Sequence, residues 1–589
     1  MFLITTADER FWKTDGPVLF LGEWCKLYSR KEAWGKFYYE VLPYHWSDKE
    51  KLFKDYLYLD DLYERTLEEL SQHLNRIHNI EKSIRYWRIV TGPWLYYMIQ
   101  ILFDRYQSIC AAALSGKVSD TLLGIDSPET MVPNVFSEFI SVYQEDSFNQ
   151  YLYGRIIKHT GKLPYTEIRE CINQELKNKV VTNDRATSFR GLGKRLLKIA
   201  DGIIPAAFKK YALISSGLTK KDLFKLQISL GQFPEIITRE AQLPNLSVDM
   251  DKREVQLKHE TKGEFEELLW KIISEQMPAA YLENYTEIKT LAHNVYPQQP
   301  NLILTSTGWY GDDIFKIWAA ENAERGVKLC GFQHGGHYGT ALYNSDESHE
   351  LKIYDRYYTW GWKTEGNGET KILPAPKFEK SKKGLSANPE GKLLLVLGVM
   401  PRYFYLLYSV PISASDVLEY WNDQYRFVRF LNEKCKESLL VRTYTHDYGW
   451  SQKERCKDEM PGINVYNGNI SLSEQLREAR LFIGTYEATT YLETFSSNFP
   501  TILYWNPKHW ELRESAKPYF DKLKRAGILH DSPDSAAEKV NEIFPDVKGW
   551  WNSDEVQKAK DEFCIRFVNT SDKWIEEWKS EIITFANKN

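Results

Sequence analysis

The stretch Asn301–Gly339 constrains the fold of this 589-residue chain more than any other. Apolar residues at 301–307 predict a strand, Ile314–Arg325 predicts a helix that ends at Gly326, and 327–332 predicts a second strand. A strand, a helix and a second strand at this spacing form a right-handed βαβ unit, so the two strands lie parallel in one sheet. We therefore expect a Rossmann-like α/β domain, with its ligand-binding residues at the carboxyl ends of the strands.

A histidine, His334, follows directly after the second of these strands and precedes the pair Gly335-Gly336. The bare backbone of the two glycines lets a substrate come close, and an imidazole titrates near physiological pH. These glycines and the neighbouring Asp312-Asp313 pair favour a catalytic histidine over a turn or core histidine. We predict that His334 is the general base for an acceptor hydroxyl, with Asp313 or Asp312 orienting it.

Residues after two other predicted strand ends are the candidates for acceptor binding. Trp309 and Tyr310 lie in the loop between the strand at 301–307 and the helix. Asp8 and Glu9 lie in the polar loop that follows the first predicted strand of the chain. Aromatic residues make up 14% of the chain, with 19 Trp and 37 Tyr, and their rings are suited to stacking on sugars or to filling a core.

Composition excludes several classes of function. The net charge of −5 argues against a nucleic-acid-binding protein, which needs a basic surface. Seven scattered cysteines with no CxxC pair predict reduced thiols in a cytoplasmic protein, without a disulfide framework or a zinc site. The amino terminus lacks the basic region of a signal peptide, and no window of 18 apolar residues predicts a membrane span.

Residues 1–365 are predicted as an N-terminal domain with a helical insertion at about 48–290. Within that insertion, the segment 177–225 is rich in lysine and arginine, with apolar residues interleaved at 192–208. This pattern is typical of an amphipathic helix on an anionic membrane, here the inner membrane, and equally of a solvated helix face.

Residues 366–391 are rich in Lys, Gly, Pro and Ser and predict a linker. Strands and helices then alternate through 392–548, which predicts a second parallel α/β sheet. The predicted strands are Leu393–Val399, Ser438–Tyr444, Ile463–Tyr466, Leu481–Gly484 and Thr501–Trp505. Within 549–589, a terminal helix at about 553–584 is long enough to cross back to the N-terminal domain.

Polar residues follow two strands of this second sheet, at the edge where a nucleotide binds. Threonines around a helix start indicate a phosphate site, because the first-turn amides and the helix dipole favour anions. A glutamate one turn later can accept bonds from both ribose hydroxyls, although a capped helix with an exposed glutamate has the same pattern. The predicted donor-binding residues are Arg442, His446, Thr485, Glu487, Thr489, Thr490 and Glu493.

These motifs resemble known families. The order Arg442…His446, Gly484-Thr485…Glu493 is similar to the donor domain of GT-B glycosyltransferases of the capsule and teichoic-acid type, although Asp447 stands where their Arg-x-His-Pro loop has proline. Gln333-His334-Gly335 resembles the Trp-His-Gly loop of polyol-phosphate polymerases, where the histidine is a base. The same Gln333-His334-Gly335 loop stands where capsule Kdo transferases have an acidic Glu-Asp-Gly loop. From FLITTADERFW through GPWLYY, HGGHYG and TWGW to TYEATTYLE, the chain looks like a transferase family encoded in bacterial O-antigen and surface-polysaccharide clusters.

The resemblance implies a GT-B fold, in which two Rossmann-like domains face each other across a cleft. It implies a metal-independent glycosyltransferase with no cofactor apart from its nucleotide-sugar co-substrate, and a glycan or lipid-linked glycan acceptor. A CMP-activated ulosonic acid, Kdo or a nonulosonate, is the first choice of donor, and a UDP- or GDP-hexose remains open. Inversion and retention of configuration both remain open. A polyol-phosphate transferase and a non-catalytic carbohydrate-binding scaffold are the two rival functions.

Overall fold

The computed structural model describes residues 1–588 apart from 126–127, 170–209, 234–242, 244–245, 258, 260, 262, 365–368, 383, 409–414 and 467–469. Most of the predicted membrane segment 177–225 therefore lies outside the described residues. Among the helices that are described, none is long and apolar enough to cross a bilayer.

Parallel strands form three sheets and one strand pair in the described chain. The N-terminal sheet, in the order β1-β2-β3, consists of β1 (Phe2–Ile4), β2 (Val18–Phe20) and β3 (Tyr39–Val41). The pair is β4 (Leu122–Gly124) with β5 (Thr166–Ile168). The middle sheet, in the order β10-β9-β8-β7-β6, consists of β6 (Tyr211–Leu213), β7 (Leu302–Thr305), β8 (Lys328–Phe332), β9 (Arg356–Thr359) and β10 (Thr370–Ile372). The C-terminal sheet, in the order β13-β12-β11-β14-β15-β16, consists of β11 (Lys392–Val396), β12 (Leu439–Arg442), β13 (Asn464–Tyr466), β14 (Ala479–Gly484), β15 (Thr501–Tyr504) and β16 (Leu529–His530).

Helices cover and connect these sheets. Those before β8 are α1 (Lys31–Trp34), α2 (Lys49–His78), α3 (Ile84–Val90), α4 (Gly92–Leu114), α5 (Phe136–Val142), α6 (Asp146–Thr160), α7 (Lys220–Ser229), α8 (Met250–Gln256), α9 (Glu264–Gln276), α10 (Tyr285–Val295), α11 (Gly308–Gly311) and α12 (Asp313–Glu324). Those after β8 are α13 (Ser345–Ile353), α14 (Pro376–Lys382), α15 (Asp416–Phe430), α16 (Glu433–Ser438), α17 (Gln452–Glu459), α18 (Leu472–Arg477), α19 (Thr489–Ser496), α20 (Lys517–Arg525), α21 (Pro533–Ile543), α22 (Val547–Trp551), α23 (Asp554–Phe567) and α24 (Trp574–Ala586).

The C-terminal sheet has the strand order 3-2-1-4-5-6 of a doubly wound dinucleotide-binding sheet. Its strand order reverses between β11 and β14, whose buried residues come from the apolar runs Leu393–Val396 and Leu481–Gly484. In such sheets the ligand binds outside the carboxyl ends of the two strands at the reversal. The predicted fold class, α/β with two Rossmann-like sheets, is confirmed.

Two details of the predicted N-terminal domain differ in the structure. The strands β1, β2 and β3 form a sheet of their own and make no described pairing with the middle sheet, so 1–365 is not one sheet with a helical insertion. The insertion also contains the edge strand β6, which pairs with β7. These strands are three residues long, which is too short for an alternating pattern to show their partners.

The predicted linker at 366–391 contains structure in its described part. Its residues 370–372 form the edge strand β10, and α14 follows at 376–382. The terminal helix is likewise divided into α23 and α24 by the turn-forming stretch Asn569-Thr570-Ser571-Asp572. Short edge strands and turns leave weak sequence signals, because few of their residues are buried.

Candidate active site

His334 lies at the carboxyl end of β8, in a loop that its neighbour Gln333 holds in place. The Gln333 amide oxygen accepts hydrogen bonds from the Trp360 backbone at 3.0 Å and from the Trp362 indole at 2.8 Å. Its amide nitrogen donates to the Gly335 carbonyl at 2.9 Å. These bonds tie the loop to the end of β9, so the imidazole is held at the ligand-binding edge of the middle sheet.

The buried Glu350 of α13 is the carboxylate partner of His334. Its Oε1 atom lies 3.0 Å from His334 Nε2 and accepts a hydrogen bond from the Tyr338 hydroxyl at 2.5 Å. Burial lowers the pKa of His334, but the Glu350 carboxylate outweighs burial, and the net pKa lies above its usual value. Nδ1 of His334 makes no hydrogen bond to any described residue, and 28% of the side chain stays exposed. With Nε2 held by Glu350, Nδ1 is left to accept a proton from a substrate.

Asp312 and Asp313 do not orient His334, which corrects the predicted role of this pair. Asp312 caps α12 and accepts the Phe315 amide at 2.9 Å. Asp313 is buried, accepts the Phe136 amide at 2.7 Å and pairs with Lys316 at 2.6 Å. Asp312 is thus occupied by a first-turn amide of α12, and Asp313 by the buried Lys316 of α12 and the first amide of α5.

The predicted acceptor residues Trp309 and Tyr310 lie beside this loop. Trp309 is only 2% exposed, and its ring centroid lies 6.5 Å from that of His334. Trp309 is therefore a wall of the site and not a surface on which an acceptor can stack. Tyr310 is half-buried, and its hydroxyl accepts a hydrogen bond from Tyr97 at 3.1 Å.

The other predicted acceptor residues, Asp8 and Glu9, belong to the edge of the N-terminal sheet. Asp8 caps a short turn and pairs with Arg10 at 2.6 Å. Glu9 pairs with Arg30 at 2.7 Å. Both carboxylates have cationic partners, and their contact with an acceptor stays a prediction.

Tyrosines from both halves of the chain surround the histidine loop on its other side. Tyr405 follows the C-terminal strand β11 and stacks on Tyr143 of the N-terminal half, with centroids 5.2 Å apart. Tyr408 packs against His337 at 5.4 Å. Aromatic faces next to a candidate base can hold a sugar ring by stacking.

The loop that carries His334 touches the start of α19 in the C-terminal sheet. A Cβ atom on Gly336 would overlap the carbonyl of Ala488 and the amide nitrogen of Thr489, so this contact requires glycine. Thr340 donates to Glu487 across the same boundary at 3.1 Å. The candidate base and the predicted phosphate-binding helix start therefore lie at one place between the two sheets.

Two predicted donor-binding residues, Thr485 and Glu487, are 1% exposed and bonded inside the protein. The Thr485 hydroxyl donates to the Val396 carbonyl at 2.9 Å and lies 2.7 Å from the Tyr420 hydroxyl. Glu487 accepts from Tyr491 as well as from Thr340, and burial raises its pKa to about 7. These bonds join the end of β14 to β11 and to the His334 loop, and contact of either residue with a nucleotide stays a prediction.

The other predicted residues lie nearer the surface. Thr489 and Thr490 are half-buried at the first two positions of α19, after Ala488, whose methyl group cannot cap the helix. Glu493 pairs with Lys377 of α14 at 3.0 Å, so a nucleotide would have to displace this bond. His446 is exposed.

Arg442 and Tyr486 complete this edge. Arg442 donates to the Ile470 carbonyl at 2.7 Å, and Thr490 donates to the Tyr486 hydroxyl at 3.4 Å. The Tyr486 ring lies against Gly398, where an added Cβ would meet it at 3.0 Å. Tyr486 was not among the predicted site residues, because its position depends on the packing of its ring against Gly398, which the sequence does not show.

Beside Tyr486, a pocket opens at the point where the strand order reverses. It measures about 260 Å³ with its mouth, and its lining residues are Gly398, Val399, Met400, Val417, Tyr420, Trp421, Tyr486 and Trp510. Sequence reasoning missed this pocket too, although Gly398 directly follows the buried run of β11. Its inner end has room for about one water molecule, so a planar base at this position would stack on the aromatic residues across its mouth.

A family model, that of the LIC12162 family transferase, matches residues 1–582. The chain belongs to this family. It is therefore a transferase, as predicted. No curated protein matches the sequence. Among the described residues of this LIC12162 family member, no group of three His, Cys, Asp or Glu side chains is placed to hold a metal ion.

Several solved structures resemble the LIC12162 family protein over about half of its length. The apo structure of OtsA is 12% identical, with a TM-score of 0.33, and the match covers 54% of this chain and 81% of OtsA. The wall teichoic acid polymerase TagF is 10% identical, with a TM-score of 0.27 and coverages of 51% and 85%. WaaG, a glycosyltransferase of lipopolysaccharide biosynthesis, is 10% identical, with a TM-score of 0.28 and coverages of 51% and 95%.

Proposed function

We propose that the protein is a GT-B glycosyltransferase that moves a sugar from a nucleotide donor to a bacterial surface-polysaccharide acceptor. One observation carries this proposal: the His334 loop of the middle sheet contacts the uncapped start of α19 in the C-terminal sheet at Gly336. A base on one sheet then faces a phosphate-binding helix start on the other. A carbohydrate-binding scaffold has no need of such a pair.

In the proposed reaction, His334 Nδ1 removes the proton of the acceptor hydroxyl, which then attacks the donor sugar in an inverting transfer. Glu350 stabilises the imidazolium that forms, and its bond to Nε2 fixes the ring orientation. The amides of Thr489 and Thr490 stabilise the departing phosphate without a metal ion, helped by the positive end of the α19 dipole. The aromatic pocket beside Tyr486 holds the base of the donor.

We propose a CMP-activated ulosonic acid as the donor, because the motif resemblance leads towards capsule Kdo transferases. A UDP- or GDP-hexose fits the same aromatic pocket, and a polyol-phosphate transferase would use the same histidine loop. The acceptor is proposed to be a glycan or lipid-linked glycan that stacks beside Tyr310 and Tyr405. Asp8 and Glu9 bind it only if it extends to the N-terminal sheet.

Thermal unfolding with a panel of CMP-, CDP-, UDP- and GDP-linked donors tests this function. A donor at about 100 times its Kd should stabilise the protein by roughly 2.7 kcal/mol. The stabilising donor is then incubated with surface-glycan acceptors, and transfer of the sugar is measured by mass spectrometry. Transfer of a polyol phosphate in place of a sugar supports the rival transferase, and no stabilisation by any donor contradicts the proposal.

We also propose that the segment 177–225 attaches the enzyme to the cytoplasmic face of the inner membrane. The helix α7, within which this segment ends, exposes Phe224 and Ile228 by 47% and 53%, one helical turn apart. The lysines Lys220, Lys221 and Lys225 are on the same helix. Co-sedimentation with anionic vesicles should be strong at low salt and fall with ionic strength. Equal binding to neutral vesicles contradicts an electrostatic attachment.

A further inference from the structure

A second pocket lies among α2, α4 and α13, outside the contact between the middle and C-terminal sheets. It measures about 300 Å³ with its open mouth, and its inner end has room for one hydroxyl-sized group. The tyrosines Tyr56, Tyr63 and Tyr96 form much of its wall. The proposed transfer reaction makes no use of this pocket.

Buried polar groups without partners line it. His349 is 2% exposed, and neither of its ring nitrogens has a hydrogen-bond partner among the described residues. The hydroxyl of Tyr63, a residue 5% exposed, makes no well-formed hydrogen bond to the described residues, although Arg88 lies near enough to interact with it. Buried polar groups are nearly always bonded, and each unbonded one costs about 1–3 kcal/mol. A ligand that supplies these bonds would remove that cost.

The groups around the pocket indicate an uncharged occupant. Burial and the nearby Arg88 hold the pKa of His349 well below its usual value, so its imidazole is neutral, with one donor and one acceptor. At the rim, Lys352 lies 3.6 Å from Asp60 and 2.9 Å from Glu64, so this lysine is already paired and does not favour an anionic ligand. Hydroxyl groups both donate and accept, and aromatic walls suit the apolar face of a sugar.

We propose that this pocket binds one edge of an uncharged sugar ring, whose hydroxyl groups pair with His349 and Tyr63. The site is next to the proposed catalytic pair, because α13 carries both. Glu350 on one stripe of α13 faces His334, and the adjacent stripe with Ser348, His349 and Lys352 lines the pocket. A glycan held here would be anchored about one helix width from the base.

Ligand-observed NMR and calorimetry with D-glucose, D-galactose, D-mannose and N-acetyl-D-glucosamine test the site on the full chain. We expect at least one sugar to bind with a Kd of about 1–10 mM. The variant Tyr63→Phe should weaken that sugar about tenfold, because it removes one hydrogen-bonding hydroxyl. It should fold about as well as the wild type, since the hydroxyl it deletes makes no well-formed hydrogen bond to the described residues.

Two controls separate this site from the active site. Tyr153→Phe deletes another buried hydroxyl without a described partner, outside this pocket, and should leave sugar binding unchanged. His334→Ala should also leave it unchanged, so the result does not depend on the proposed transferase reaction. If Tyr63→Phe fails to fold, Ser348→Leu, which fills the half-buried mouth, takes its place and should abolish binding.

Two outcomes would overturn the inference. If no neutral sugar binds up to about 100 mM, the pocket holds water only. If a sugar binds equally to the wild type and to Tyr63→Phe, it occupies the cleft between the sheets and not this pocket.

Discussion

At the scale of single residues, the proposed chemistry depends on one imidazole and the carboxylate that holds it. Glu350 raises the pKa of His334, so the imidazole stays protonated to a higher pH than a free histidine does. Only the neutral form can act as a base, and catalysis should therefore increase as the pH rises through this pKa.

Replacing His334 by alanine should lower kcat by about 10² to 10⁴, the usual contribution of a general base, with little change in donor affinity. His337→Ala is the matched control. His337 lies in the same loop, and burial, followed by the charge of His334, lowers its pKa to about 4, but it packs on Tyr408 and contacts no carboxylate in the described chain. Full activity in His334→Ala, or equal losses in both variants, would contradict the assignment.

Glu350→Gln tests the pairing itself through the pH profile. Glutamine keeps a hydrogen-bond acceptor but removes the charge, so the rise of kcat/KM should move towards acid by about 1 unit or more. The raised pKa also stabilises the fold below the pKa of an unfolded histidine, and this contribution is lost as pH rises through the folded pKa. The variant should lose that pH dependence of stability, and an unmoved profile would show that Glu350 does not control the base.

Glu487 leads to a prediction about stability and not about catalysis, because burial raises the pKa of its carboxyl group to about 7. A raised carboxyl pKa favours the fold below the unfolded pKa of about 4.3, and that contribution is lost as pH rises through 7. Glu487→Gln keeps the bonds from Thr340 and Tyr491 without a titrating group. It should raise stability at pH 8 by up to ~3 kcal/mol and change it little at pH 4.5, as measured by chemical denaturation.

The sequence identified His334 because a histidine between an apolar strand and two glycines is unusual. It could not identify Glu350, which is 16 residues further on, in a helix with two other carboxylates. Which of these faces the imidazole depends on how α13 packs. The same limit explains Asp312 and Thr485, whose polar atoms satisfy the backbone around them.

At the scale of elements, α24 joins the end of the chain to the middle sheet. Trp578 packs edge-on against Phe332 of β8 and Tyr358 of β9, with centroids 5.4 and 5.1 Å away. Glu581 of the same helix pairs with Arg356 at 2.7 Å. The helix α24, near the end of the chain, thus packs against β8, the strand that leads into the His334 loop.

Trp578→Ala should cost about 3–5 kcal/mol of unfolding free energy, the usual loss for a large buried aromatic side chain. Denaturant unfolding measures this loss. Ile565→Ala in α23 is the matched control, because Ile565 is 76% exposed and should change stability by less than about 0.5 kcal/mol. A Trp578→Ala protein as stable as the control would show that α24 does not support the sheet.

The sequence predicted the strands of the C-terminal sheet well, because runs such as Leu393–Val396 are buried on both faces and stand out from their surroundings. It missed β6, β10 and β16, which have two or three residues and lie at the edges of their sheets. Their positions are set by the completed sheet and leave little pattern of their own. The sheet order, too, depends on long-range pairing that periodicity does not contain.

At the scale of the whole molecule, a buried ion pair crosses from the C-terminal sheet to the N-terminal half. Arg402, in the loop after β11, pairs with Asp146 at the start of α6 at 2.6 Å and donates to the Trp24 carbonyl at 2.6 Å. The two side chains are 9% and 24% exposed. This pair, with the contact at Gly336, sets how the base side and the donor side of the proposed site face each other.

Asp146→Asn leaves the Arg402 charge without its partner, and removing one member of a buried pair typically costs about 3–5 kcal/mol. Burial opposes ionisation of Asp146, but Arg402 outweighs burial, and the pKa of Asp146 in the folded protein is lowered. The pair therefore stabilises the fold above the pKa of Asp146 in the unfolded chain, and this stabilisation is lost as pH falls through its pKa in the folded protein. The variant should therefore flatten the acid side of the stability profile. Glu459→Gln is the control, because its pair with Arg429 is exposed and worth less than about 1 kcal/mol.

If the Arg402–Asp146 pair holds the two halves together, small-angle scattering will show a larger radius of gyration for Asp146→Asn alone, and donor affinity will persist while transfer is lost. An unchanged radius with unchanged transfer would mean that the contact at Gly336 suffices to align the two sides.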